Sequence, residues 1–244
     1  MENTSLIALS RQAALKRQMD VVANNIANMN TTAFKGEKTM FVDQLVRSRG
    51  GDRSTYEQLA FVRDIATMRD PTEGPLKKTD NTLDVAVRGS GFFVVDTDDG
   101  ERYTRNGTFR LDQNGQIVTQ NGRSVLSTGG APIFFTPADT EISISADGSV
   151  GTNNGPLGKL RVVRFDNEYT LRPTADGLYI TDSEAQNVDR PDVVQGMLEG
   201  SNVEPVREMA NMIEVQRAYE SAKTLVEREH DRIKSVIRDL SGGQ

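Results

Sequence analysis

The side chains able to do chemistry are few, and their spacing suits none of the common sites. The one histidine, His230, lies between Glu229 and Asp231, and the 244 residues contain no cysteine. A zinc site needs several nitrogen or sulfur ligands, and a nucleophile needs a positioned base beside it. A solvated imidazole on a helix supplies neither. The run Asp96-Thr97-Asp98-Asp99-Gly100 starts like a calcium loop, but Gly100 falls where a ligand belongs and the twelfth position, Gly107, has no bidentate carboxylate to give. A hairpin turn is the simpler reading. Gly89-Ser90-Gly91 is too short and wrongly flanked for a dinucleotide fingerprint. The sequence therefore predicts no catalytic residue, no cofactor and no metal, and a building block rather than an enzyme.

Composition points to protein partners. The net charge of −6 and pI of about 5.0 disfavour nucleic acid and anionic membrane surfaces, both of which select basic chains. With 36% hydrophobic residues, 6% aromatics and no Trp, aromatic platforms for sugars or bases are disfavoured as well. No run approaches the ~20 apolar residues of a membrane span. Met1-Glu2-Asn3-Thr4-Ser5-Leu6 lacks the basic and apolar regions of a cleavable secretory signal, so none is expected.

The elements fall into an α+β arrangement. Leu15, Met19, Val22, Ile26 and Met29 recur at 4-3-4-3 spacing and predict a helix from residue 3 to about 30. Asn24, Asn25, Asn28 and Asn30 crowd its end, although Asn competes with the helix backbone for hydrogen bonds. They read either as a cap or as a docking feature for a neighbouring subunit. Residues 36–81, punctuated by Gly50-Gly51 and Asp70-Pro71, read as an extended linker, with a disordered insert as the alternative. Phe34, Met40, Phe41, Leu45 and Val46 are candidate anchors of a loop or short helix there. Residues 82–199 alternate as strands, and Asn106-Gly107, Asn114-Gly115, Asn121-Gly122, Asp147-Gly148 and Asp176-Gly177 mark hairpin turns of an antiparallel β domain. Its expected protease-resistant core is 82–191.

A second helix follows Pro205, where proline costs little in the first turn. Met212, Val215, Tyr219, Ala222, Val226, Glu229, Ile233, Val236 and Leu240 keep strict 3-4 spacing, the pattern of a coiled-coil seam. Helix propagation is close to neutral, so the seam must bury side chains, at ~1.5–3 kcal/mol each, to hold. The N-terminal stripe is its nearest partner. It covers only part of the longer seam, so about half should seek another chain. Residues 1–35 with 200–244 are thus expected to form a helical stalk that neighbours complete.

The same residues carry a resemblance. Asn24-Asn25-Ile26-Ala27-Asn28-Met29-Asn30-Thr31-Thr32-Ala33-Phe34-Lys35 resembles the N-terminal signature of the flagellar axial proteins, the rod and hook family. Gly196-Met197-Leu198-Glu199-Gly200-Ser201-Asn202-Val203-Glu204-Pro205-Val206, continued by Glu208-Met209, Met212-Ile213 and Gln216-Arg217-Ala218-Tyr219-Glu220, resembles its C-terminal signature. Gly89 to Val95 and Tyr103-Thr104-Arg105-Asn106-Gly107 look like its core strands. Within the family the chain looks most like a proximal-rod member, with a distal-rod member second. The resemblance implies a structural subunit that leaves the cytoplasm unfolded through the flagellar export apparatus and assembles with itself and other rod subunits in the periplasm. The residues it assigns to assembly are Asn24, Asn25, Ile26, Asn28, Asn30, Phe34, Asn202, Val203, Met212, Ile213, Gln216, Arg217, Tyr219, Val226 and Ile233. Without it, a sugar-binding or adhesin module with coiled-coil ends would be the rival.

Overall fold

The structure, a computed structural model, describes residues 2–49 and 56–241, with side chains for 7–40, 67–174, 176–236 and 238. Gly50-Gly51 and the side chains of Phe41, Leu45, Val46 and Leu240 lie outside the described residues. The fold is α+β, with two helices and a central antiparallel β domain, divided into two compact units. One is built from residues 1–27, 36–70 and 204–244, the other from 28–35 and 71–203.

The first unit holds both helices, α1 (Glu2–Ala27) and α2 (Pro205–Ser241), which pack on each other. Ala8, Ala14, Val22 and Asn25 form the buried side of α1, with Leu15, Met19 and Ile26 half-buried beside them. On α2 the buried side is marked by Val215 and Ala222. Strands β1 (Glu37–Arg49) and β2 (Tyr56–Arg69) pair antiparallel with a bulge after Met40, and both pack on α1. This segment, expected to be a linker, is extended but paired. The Tyr, Phe, Val, Ile and Thr of β2 suit a pleated strand, and Glu37–Arg69 (2.9 Å) and Lys38–Asp70 (2.7 Å) ion pairs close the open end.

The second unit is all-β apart from two short 3-10 turns. Its short strands include β3 (Leu76–Lys78), β4 (Val85–Arg88), β5 (Phe92–Thr97) and β6 (Gly100–Thr104). The main sheet runs in the order 172–173, 179–180, β6, β5, 124–125, 117–119, 109–111, and strand Val162–Arg164 also pairs with β5. Smaller antiparallel pairs join β4 to Asp192–Gln195 and β3 to Met197–Glu199. The uninterrupted apolar run at the start of β5 has a simple cause: both faces of this strand are covered. Phe93 and Val95 enter one core with Val85, Phe109, Ile117 and Val150, while Phe92 and Val94 enter another with Leu126, Val163 and Phe165.

The Asx-Gly pairs divide into two kinds. Gly115, Gly122, Gly148 and Gly177 have positive φ and sit in hairpin turns, as their sequence predicts. Gly107 does not. It donates no turn geometry; a Cβ there would lie 1.6 Å from the Val85 carbonyl oxygen, so the position needs glycine for close approach of two backbones.

Candidate assembly site

The Asn cluster is not one feature. Asn25 is buried at the end of α1, its side-chain amide donating to the Glu37 carbonyl (2.8 Å) and its side-chain oxygen accepting from the Glu37 N–H (2.9 Å). A side-chain amide here does what a neighbouring strand would do, fixing the first residue of β1 against the helix. That arrangement accounts for an Asn inside a helix better than a cap does. Asn24 is exposed, Ile26 half-buried, and Asn28, Asn30 and Phe34 belong to the β unit, where Asn28 accepts from the Thr31 hydroxyl (3.1 Å). Asn202 is bound there too, its amide donating to the Thr72 carbonyl (3.0 Å) and its N–H to the Phe34 carbonyl (3.3 Å), with Val203 half-buried next to it.

The assembly residues on α2 also separate. Met212, Tyr219 and Val226 are half-buried on the seam, whereas Ile213, Gln216 and Arg217 are exposed on other sides of the helix. The seam itself changes along its length. Val215 and Ala222 are 5% and 8% exposed, but Ile233 and Val236, further along the same stripe, are 40% and 49% exposed. An open groove of about 440 Å³ runs along this part of the seam, lined by Arg11 of α1 and by residues of α2 from Ala218 to Arg228. His230 is exposed on α2.

Within the β unit the sequence reading missed a buried ionic cluster. Glu199 is 1% exposed; its Oε1 accepts from Lys35 Nζ (2.5 Å) and the Gly74 N–H (3.0 Å), and its Oε2 accepts from Arg105 Nε (2.8 Å). Lys35 also donates to the Thr72 carbonyl (2.6 Å). Arg105 donates to the carbonyls of Gly89 (2.8 Å) and Gly91 (2.9 Å) and lies over the Phe92 ring. Burial pushes the Glu199 carboxyl up, but the charges of Arg105 and Lys35 outweigh it and hold the group below the usual carboxylate range. Burial pulls the Lys35 ammonium below its ordinary value, opposed by Glu199. Half-buried Glu168, near the cluster, is pushed up by burial. One signal was available: Lys35, Glu199 and Arg105 each lie in one of the three motifs that carry the family resemblance.

Comparison with known proteins follows the same three segments. Residues 6–35 match the flagella basal body rod protein family, 86–152 the flagellar hook protein FlgE/F/G D1 domain, and 194–239 the flagellar basal body rod FlgEFG protein C-terminal family. The chain is 40% identical to the flagellar basal-body rod protein FlgF of Caulobacter vibrioides and 34% identical to that of Mesorhizobium japonicum, over 98% of each chain in both cases. The chain belongs to the flagellar basal-body rod family. It is also 36% identical to the rod protein FlgG of Buchnera aphidicola from Acyrthosiphon pisum, over 83% of this chain and 86% of that one. A member of the rod family is a structural subunit of the flagellar basal body, not an enzyme, and works by assembling with other axial subunits. Among the described residues no helix is long and apolar enough to cross a membrane.

Proposed function

We propose that this rod subunit is of the proximal, FlgF type, that its terminal helices form a coiled-coil stalk completed by neighbours, and that it reaches the growing rod unfolded through the flagellar export apparatus. The 40% identity to a FlgF over nearly the whole of both chains, against 36% to a FlgG over a shorter stretch, favours this member over the distal FlgG type. The observation that carries the assembly reading is the seam of α2, buried at Val215 and Ala222 and left open at Ile233 and Val236. An apolar stripe with one half covered is what a subunit carries when its partner is another subunit. Asn24, Asn30, Ile213, Gln216 and Arg217 are exposed and belong to the contact surface; Asn25 and Asn202 serve it by fixing the segments that bear it.

Val226→Asp tests the reading. A charge at this half-buried seam position must be desolvated for the stalk to form. In cells lacking their own copy, the variant should be missing from purified basal bodies and leave the cells non-motile, while circular dichroism of the purified chain still shows a folded β unit. Motile cells with the variant in their basal bodies would overturn it.

A further inference from the structure

We infer that the outer face of α2 docks, antiparallel and head to tail, on the outer face of α1 in a second copy of this chain. This rests on the rod-subunit reading and adds a surface distinct from the seam. On α2, Val206 precedes buried Val215 by nine residues, which is about 180° around a helix. Val206, Met209 and Ile213 therefore form a second apolar stripe directly opposite the packed side, and they are 83%, 49% and 52% exposed. Arg217 and Glu220 continue the stripe at the next two steps, both exposed.

The outer face of α1 has the complementary pattern. Lys16, Asp20, Ala23 and Ala27 follow one another at 4-3-4 spacing, all exposed, on the side away from Ala14, Val22 and Asn25. Laid antiparallel, Glu220 faces Lys16, Arg217 faces Asp20, Ile213 faces Ala23 and Met209 faces Ala27. Both matched runs span eleven residues, in steps of 3-4-4 on α2 against 4-3-4 on α1, so only the Arg217–Asp20 pair is offset, by one residue rise that two long side chains can bridge. Two opposite-charge pairs form at one end, and at the other large side chains meet alanines, which permits the closer of the usual ~8–10 Å helix separations. Lys16, Asp20 and Arg217 make no ion pair among the described residues, and the Glu220 carboxylate accepts only from the exposed Gln216 amide one turn away (3.3 Å), so no ion pair has to break. A parallel arrangement that matched Arg217 to Asp20 would put Ile213 on Lys16. Because the two faces differ, the contact is heterologous and repeats head to tail, as a ring or an open helical array according to the rotation between copies.

The absence of cysteine makes the contact directly testable. Ala23→Cys and Ile213→Cys, placed together in one chain and expressed in cells lacking their own copy, should on oxidation of isolated basal bodies give a reducible ladder of multiples of this chain. Neither single variant should give it. In the same cells Asp20→Arg or Arg217→Asp alone should lower the amount of chain in basal bodies about tenfold, since each leaves a charge facing its like. The double variant should restore it. An incorporated double-cysteine chain that gives no ladder, dimers from Ile213→Cys alone, or a charge swap that fails to restore incorporation would each overturn the inference while leaving the rod reading intact. Absence of the unaltered chain from basal bodies would instead sink that reading, and this contact with it. All substituted positions are exposed, and an unchanged melting temperature of each purified variant separates loss of contact from loss of fold.

Discussion

Taking the charge from Glu199 would leave two buried cations, Lys35 and Arg105, without the carboxylate that bonds both of them. Both sit beside the carboxylate at 5% and 4% exposure, and burying an uncompensated charge is among the costliest single changes a fold can suffer. Glu199→Gln is therefore expected to destabilise the β unit by about 3–5 kcal/mol. Lys35→Met should cost less, because Glu199 keeps Arg105 and the Gly74 N–H while a methyl thioether replaces an ammonium of similar length. Denaturant titration of both purified variants checks the order; equal losses would mean that Glu199 acts through Lys35 alone. Either change weakens the fold without touching the exposed assembly residues.

At the scale of elements, the β unit cannot be trimmed to its turns and strands. The fragment 82–191, expected from the sequence to survive protease, omits Asp192–Gln195, Met197–Glu199 and β3, which pair with β4 and with each other. It also removes Glu199 from under Arg105. A chain ending at Val203 keeps residues 28–35 and 71–203 and should hold a folded β unit after loss of α2, whereas one ending at Gln195 should not. Near-ultraviolet circular dichroism and protease mapping distinguish them; a folded 82–191 fragment would contradict the ionic cluster's importance. The local features were legible because they are local: helix stripes, the strand run at Phe92 to Val95 and four of the five Asx-Gly turns follow from spacing alone. What spacing could not show is long-range. Lys35 and Glu199 are 164 positions apart, and nothing in either neighbourhood announces the other. The β1–β2 pair was hidden for a related reason, since the residues that fix its start include Asn25, which reads as a helix-end residue until its amide is seen on the Glu37 backbone.

For the molecule as a whole, the chain passes between its two units at 27/28, 35/36, 70/71 and 203/204, so each unit needs segments from both halves of the sequence. Contacts of such separation form late, after loop closure has been paid for, and a chain still lacking its last fifty residues cannot complete either unit. The unfolded delivery proposed above would gain from this order. The completed fold should then be sensitive to acid. Arg105 and Lys35 hold Glu199 low, Arg123 holds Asp98 low, and hydrogen bonds from Gln116, Ser149 and Thr136 hold Asp112, Asp147 and Asp139 low. A carboxyl depressed in the folded state contributes stability above its unfolded pKa of about 4, and that contribution disappears as pH falls through the lower folded value. Glu168, pushed up by burial, acts in the opposite sense, but it stands alone against five. The melting temperature should accordingly stay level from pH 8 to about 5 and fall steeply below about 4, with Glu199→Gln flattening the acid limb because one of the five groups no longer titrates. A melting temperature that rose on acidification would show that burial of Glu168, not the paired carboxylates, governs the response.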